Sequence, residues 1–343
     1  MTLNVGVIGV GMIGQDHVRR LTRVLSGSQV VAVTDVDLDR AKGVADHLPD
    51  ATAHASGQQL IDDPAVDAVV VTSWGPTHEE YVLGCIAAGK PVFCEKPLAT
   101  TQEACERIID AEVAAGRRLV QVGFMRRYDP QYRAVKAALT GGEIGSPLLM
   151  HAAHRNPSVP PHFTSDMIVN DAVVHDIDVA RWMFDDEVVG VTVFTPRVSG
   201  KAAAGFHDPL LVLLEMSGGV LVDVEASVNA GYGYDIRGEV VGEDGTAELS
   251  ESAGAVVKRA GTHAGRVPAD WRERFARAFD AEFQEWIDAV RVGGSTGPSS
   301  WDGYAAAVTC DAGLAALATP GRRAAVVLRD RPDLYRPDAD GGG

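Results

Sequence analysis

The sequence predicts an α/β protein: a doubly wound parallel sheet at the N-terminus, then an α+β domain with a mostly antiparallel open sheet. Three observations carry this. Short apolar runs of buried-strand type alternate with helix-spaced segments over the first third of the chain. The first run, Leu3–Ile8, leads straight into Gly9-Val10-Gly11-Met12-Ile13-Gly14, and Val18, Leu21, Val24 and Leu25 follow at helical spacing. From Ser146 onward, β-rich stretches are separated by turn signals such as Ser217-Gly218-Gly219 and Glu243-Asp244-Gly245.

The glycine run is GxGxxG in the context it needs, after a strand and opening a helix, as in a Rossmann dinucleotide fold. Gly9 permits the tight turn, Gly11 lets backbone approach a pyrophosphate, and Gly14 lets helix and strand pack closely. The helix N-terminus, from Met12 and Ile13, offers N–H groups to phosphate. A second strand, Gln29–Thr34, ends in Asp35, at the distance where an acid meets the adenosine ribose. A carboxylate there favours NAD over NADP, with Arg40 nearby and Asp37 and Asp39 opposing it. The alternative is that Asp35 only caps the next helix.

Strand and helix then alternate: Asp67–Thr72, Thr77–Ala88 ended by Gly89, Pro91–Cys94, Thr100–Ala115 and Leu119–Val122. Ligands of such sheets collect at the carboxyl ends of the strands. The loops Ser73-Trp74-Gly75-Pro76, Glu95-Lys96-Pro97 and 123–127 are therefore expected to rim a cofactor crevice, with His78 beside the first. Lys96, held between Glu95 and Pro97, offers an ammonium to an alcohol oxygen that becomes negative as hydride leaves. A surface lysine in a loop is the plainer reading.

Six β-rich stretches follow: Leu148–Arg155, Val188–Val198, Pro209–Met216, Val220–Val228, Ile236–Val241 and Ala247–Leu249. His154 and Asn156 fall on one side of the first, a pattern that suits hydroxyl recognition and equally a solvated strand face. Helices are expected at Trp271–Val292 and Trp301–Ala318, the second packing back on the first domain. Residues 249–268 lack clear periodicity. The expected division is 1–123, a dinucleotide-binding domain; 124–335, a substrate and assembly domain; and 336–343, a disordered tail. An open sheet face needs cover, so a homo-oligomer, a tetramer foremost, is expected through the second domain.

Between these strands lies Asn170–Asp178, continuing to Arg181 and Trp182. At 100° per residue Asp171, His175, Asp178 and Trp182 share one stripe, and Val173, Ile177, Ala180 and Phe184 the other. A carboxylate one turn from an imidazole orients the ring and raises its proton affinity, which suits His175 as an alcohol-deprotonating base with Asp171 as partner. The plainer alternative is a solvated face ion-paired to Arg181.

Composition bounds the partners. A formal net charge of −16 over 343 residues repels nucleic acid and anionic lipid, and no basic patch offsets it, Arg117-Arg118 and Arg126-Arg127 being no more than pairs. Cys85, Cys94, Cys105 and Cys310 show neither CxxC nor zinc spacing, so no metal site is expected and the thiols read as reduced, in a cytoplasmic protein without a membrane span.

With these residues placed, the chain resembles the glucose-fructose oxidoreductase and inositol dehydrogenase (Gfo/Idh/MocA) family. The resemblance rests on Gly9–Gly14, Asp35, Ser73–Pro76 with His78 and above all Glu95-Lys96-Pro97. It narrows toward the members acting on inositols at Gly123–Asp129, His154-Arg155-Asn156, Asp171–His175, Tyr234-Asp235-Ile236 and Val240–Gly245. It implies an NAD-dependent oxidoreductase whose catalytic set is Lys96, Asp171 and His175. It further implies that Met125, Arg126, His154, Asn156, Asp178 and Tyr234 line the pocket of a small-molecule polyol. The implied reaction takes myo-inositol to 2-keto-myo-inositol. Ala172 stands where some such enzymes carry a hydroxyl, which leaves the isomer open, and with it another inositol or an aldose. A dinucleotide-binding sensor without catalysis is the rival of another class, disfavoured by the joint presence of Lys96, Asp171 and His175.

Overall fold

Runs such as Ala68-Val69-Val70-Val71 have no polar face, and the computed structural model, which describes residues 2–250 and 257–336, buries them in a parallel sheet. Its strands are β1 (Leu3–Ile8), β2 (Ser28–Thr34), β3 (Thr52–Ala53), β4 (Ala68–Val71), β5 (Val92–Glu95) and β6 (Val120–Gly123). Their order is β3-β2-β1-β4-β5-β6, every pair parallel. The connecting helices are α1 (Met12–Arg19), α2 (Leu38–Ala45), α3 (Gly57–Asp62), α4 (His78–Ala87) and α5 (Gln102–Ala115). The predicted strands all form. β3 and α3 were not anticipated, because a two-residue strand and a six-residue helix carry too little periodicity to register. Strand order reverses between β1 and β4, so the Gly9–Gly14 turn and the loop after Thr72 flank the switch point where such folds take their ligand.

The second sheet joins β7 (Pro147–Arg155), β8 (Val188–Phe194), β9 (Leu210–Met216), β10 (Leu221–Ser227), β11 (Asp235–Gly242), β12 (Thr246–Glu248) and β15 (Arg323–Ala325) in the order β12-β11-β7-β10-β9-β8-β15. Only β7 and β10 run parallel; the remaining pairs are antiparallel, as expected. Burial alternates along β9 and β10, the signature of a sheet covered on one face. The helices here are α6 (Pro130–Thr140), the single turn α7 (Ser165–Met167) and α8 (Val174–Phe184). Part of the aperiodic stretch forms a hairpin, β13 (Val257–Arg259) with β14 (Thr262–Ala264). Residues 251–256 and the expected tail beyond Arg336 lie outside the described residues.

Two units separate by internal contacts. The first holds residues to Phe124, Phe279–Ala307 and the chain from Leu328; the second holds Met125–Ala278 and Val308–Val327. The sequence expectation gave all of 124–335 to the second domain. The difference arises in α9 (Trp271–Arg291), whose Phe283, Trp286 and Ile287 are buried with Val5, Val7, Val70 and Phe93 in the core of the first unit. Each such side chain contributes on the order of 1.5–3 kcal/mol by leaving water. The last long helix, α10 (Ser300–Leu317), follows it, and its residues to Ala307 belong to the same unit.

Candidate active site

In the first unit the three motif glycines have different reasons to be glycine. Gly9 has φ +92°, and a Cβ there would sit 2.6 Å from the Ser73 backbone. A Cβ on Gly14 would stand 2.0 Å from the Gly9 carbonyl oxygen, which also accepts from Thr72 Oγ1 at 2.6 Å. Gly11, the N-cap of α1, has an ordinary φ of −70°, and its Cβ would meet nothing within 4 Å. Among the described residues no atom requires Gly11 to lack a side chain; a ligand phosphate on the helix N-terminus would be a reason for it. Met12 is exposed and Ile13 partly so beside it.

Asp35 is nearly buried and oriented on both oxygens: Oδ2 accepts from Val10 N–H at 2.8 Å and Oδ1 from Asp37 N–H at 2.9 Å. It does not cap α2, because Asp37 holds that position and accepts from Arg40 N–H. Arg40 lies on the Asp35 and Asp37 carboxylates at 3.2 and 3.3 Å, so its charge is engaged by both.

In the loops, Ser73 Oγ meets Thr77 Oγ1, Trp74 stands out to solvent, and Gly75 opens a short turn of helix. His78 is buried, with one ring nitrogen 2.7 Å from Pro97 O and the other 2.9 Å from Ser73 O. It therefore clamps the 73–77 loop to the loop that carries Lys96. The Lys96–Pro97 peptide is cis, Lys96 is half-buried, and its N–H donates to Glu95 Oε2 at 3.2 Å.

The second unit gathers most of the residues implied for the polyol. The His154 ring lies 6.4 Å from that of His175 and 5.9 Å, edge-on, from that of Tyr234. All three are buried, as is Met125, while Asn156 follows the end of β7 with its Oδ1 enclosed. His154 Nδ1 lies 3.1 Å from Asp176 Oδ2 and 3.0 Å from Arg126, whose Nη1 is 2.6 Å from Asp176 Oδ1. Burial, and then the Arg126 charge, hold the His154 pKa below the ordinary histidine value. Burial pushes Asp176 upward, but Arg126 and His154 outweigh it and keep the carboxyl below its usual range. Burial raises the Tyr234 hydroxyl to about 12. The result is a neutral imidazole beside His175 and a neutral phenol edge-on to that imidazole, groups that recognise hydroxyls by donating and accepting hydrogen bonds.

Two expectations need correction. Residues 168–173 form a π turn, and the α-helix begins only at Val174, so Asp171 and His175 do not share a single α-helical stripe. The alternative of a solvated face ion-paired to Arg181 fails from His175 onward: Val174–Arg181 are all buried, Arg181 pairs with Glu187, and Asp178 is held by both Nε and Nη2 of Arg127 at 2.9 and 2.5 Å. Asp178, on this helix, is thus held by Arg127 from the short turn Met125–Tyr128, whereas Asp171 is exposed before the helix. The sequence reading missed Asp176, Arg127 and the buried His17. Their one signal is a charged or titratable side chain amid apolar neighbours, which becomes informative only once the partners are in place.

Residues 3–124 match the oxidoreductase family with the NAD-binding Rossmann fold, and residues 132–248 match the GFO/IDH/MocA C-terminal domain. The chain belongs to the GFO/IDH/MocA oxidoreductase family. It is 53% identical over 335 residues to inositol 2-dehydrogenase 3 of Saccharopolyspora erythraea, covering 98% of each chain. It is 52% identical to the inositol 2-dehydrogenase of Pseudomonas fluorescens, covering 98% of this chain and 100% of that one. Among solved structures it resembles myo-inositol dehydrogenase from Lactobacillus casei, in complex with NAD(H) and myo-inositol, with TM-score 0.94, 39% identity and coverage of 98% and 100%. As a member of this family the chain is an NAD-dependent dehydrogenase, and the open space at Gly11 and the oriented Asp35 fit that cofactor. Among the described residues no helix is long and apolar enough to cross a membrane.

Proposed function

We propose that the chain oxidises a cyclitol secondary alcohol with NAD, myo-inositol to 2-keto-myo-inositol foremost. The observation that carries this reading is identity above 50%, end to end, with proteins named inositol 2-dehydrogenase. The neutral His154 imidazole beside His175, with the Tyr234 phenol edge-on to it, suits a polyhydroxylated ring.

In the mechanism we propose, His175 takes the hydroxyl proton, a role typically worth about 10²- to 10⁴-fold in rate. Asp171 stabilises the imidazolium so formed, and the Lys96 ammonium stabilises the oxygen as charge builds on it. Met125, Arg126, His154, Asn156, Asp178 and Tyr234 line or support the ring's pocket; Arg126 acts through Asp176 and His154, and Asp178 through Arg127. Gly9, Gly11, Met12, Ile13, Gly14, Asp35, Ser73, Trp74, Gly75, His78 and Glu95 hold the dinucleotide. NAD, when bound, supplies the hydride acceptor. We further propose a cytoplasmic homotetramer assembled through the open face of the second sheet, where Phe194, Leu211 and Leu221 are exposed; four buried cysteines outside any disulfide accord with a reducing compartment.

The test is NADH formation across a panel of cyclitols and aldoses, with NADP in parallel. Turnover of myo-inositol with NAD is the expected result. A preference for another inositol or for glucose would move the substrate, and NADP-only turnover would overturn the reading of Asp35.

A further inference from the structure

A chain of buried polar contacts in the first unit ends on the backbone of Lys96. Asp280 Oδ1 accepts from Arg20 Nε at 2.9 Å, and Arg20 Nη1 lies 3.2 Å from His17 Nδ1. His17 Nε2 lies 2.8 Å from Glu95 Oε1, and Glu95 Oε2 accepts from the Lys96 N–H at 3.2 Å. His17 and Arg20 are at most 1% exposed and Glu95 is 9% exposed. Such groups are costly to bury unless their partners are satisfied, so their presence here calls for a role.

The geometry fixes the protons. A guanidinium only donates, so His17 Nδ1 accepts from Arg20 and Nε2 carries the hydrogen given to Glu95. Burial, the largest influence on His17, agrees with a neutral ring. Its ring lies against Phe283 and Phe279, both tilted to it with centroids at 4.4 and 5.6 Å, so aromatic neighbours limit its turning. Gly123 leaves room for Glu95, since a Cβ there would already be 3.0 Å from Oε2. The carboxylate is held at both oxygens, Oε1 by His17 and Oε2 by the Lys96 N–H, and it is also joined to Lys96 by the chain.

We propose that His17 is a positioning residue for Lys96: through Glu95 it fixes the backbone from which the ammonium reaches the reacting oxygen. It sits on α1, the helix whose N-terminus Gly11 caps, so the phosphate-binding helix and the lysine loop share one rigid polar link. Misplacement by about 1 Å can cost on the order of 10²-fold in rate without loss of binding.

This rests on the proposed role of Lys96, and two readouts separate the two ideas. His17→Phe keeps the aromatic packing and removes the donor; His17→Gln returns a donor near Nε2. For H17F we expect kcat for myo-inositol to fall by about 10- to 100-fold, with KM and the NAD Kd within about two-fold, and H17Q to recover much of it. The second readout is the acetylation rate of Lys96, followed by peptide mass spectrometry, which needs no turnover; we expect a change of about three-fold or more in H17F, reversed in H17Q. If H17F does not fold, Glu95→Gln tests the same link by Lys96 labelling in the absence of NAD, since the amide nitrogen cannot accept from the Lys96 N–H while the amide oxygen accepts from His17. An unchanged kcat with unchanged Lys96 labelling overturns the proposal, as does a loss that H17Q shares in full. Altered labelling in an enzyme that turns over no polyol supports the link and sinks the proposed reaction instead.

Discussion

Arg126 and Asp176 form an ion pair at 2.6 Å with both side chains at most 2% exposed, and His154 completes it at 3.1 Å from the carboxylate. Removing one member of a buried pair strands the other in low dielectric, at a cost of about 3–5 kcal/mol. Arg126→Met should therefore lower the urea midpoint of unfolding markedly, and adding Asp176→Leu should restore much of it. A single variant as stable as the parent would mean that the pair is solvated.

Stability should also depend on pH through His17 and His154. Burial holds both pKa values below the ordinary 6.5, so the folded chain keeps these rings neutral where the unfolded chain protonates them. Unfolding free energy should be level above about pH 7 and fall as pH drops from about 6.5 toward the folded values, by up to about 1.4 kcal/mol per pH unit for each ring. Urea unfolding at about pH 7.5 and 5.5 measures it, and His154→Phe should flatten its share of the slope.

Glycines 11 and 14 should separate binding from folding. With no atom within 4 Å of its Cβ, Gly11→Ala should change stability by no more than about 0.5 kcal/mol while weakening NAD by about ten-fold or more. Gly14→Ala, whose Cβ would lie 2.0 Å from a carbonyl oxygen, should destabilise the fold itself. Thermal melts with and without NAD distinguish the two. Equal NAD affinity in G11A would remove the phosphate from that position.

Asp35→Ser should shift cofactor choice. It removes the carboxylate that repels a 2′-phosphate and releases Arg40 from the 3.2 Å contact. The ratio of kcat/KM for NADP to that for NAD should rise by about ten-fold or more, as read from NADH and NADPH formation. An unchanged ratio would show that Asp35 does not meet the ribose.

The N-terminal sheet was legible because Leu3–Ile8, Asp67–Thr72 and Leu119–Val122 are mostly apolar and lack a polar alternation, and a strand buried on both faces writes itself that way. The second sheet showed through its alternation and its turns. What stayed hidden depends on partners far along the chain. Asp178 reads as a solvated acid until Arg127 is seen beside it, and Phe283 and Trp286 read as an ordinary helix stripe until the first core closes over them. The π turn at 168–173 was invisible for another reason: hydrophobic spacing assumes one helical period, and no residue type announces i→i+5 bonding. It altered the expected relation of Asp171 to His175 without altering which residues are candidates.

The most direct test is the steady-state rate of NADH formation from myo-inositol by the His175→Ala variant, with NAD affinity measured on the same preparation. The rate should fall by about 10²- to 10⁴-fold while NAD binds as in the parent. A variant that turns over at close to the parental rate would show that the imidazole does not take the proton, and the mechanism proposed for this chain would be wrong.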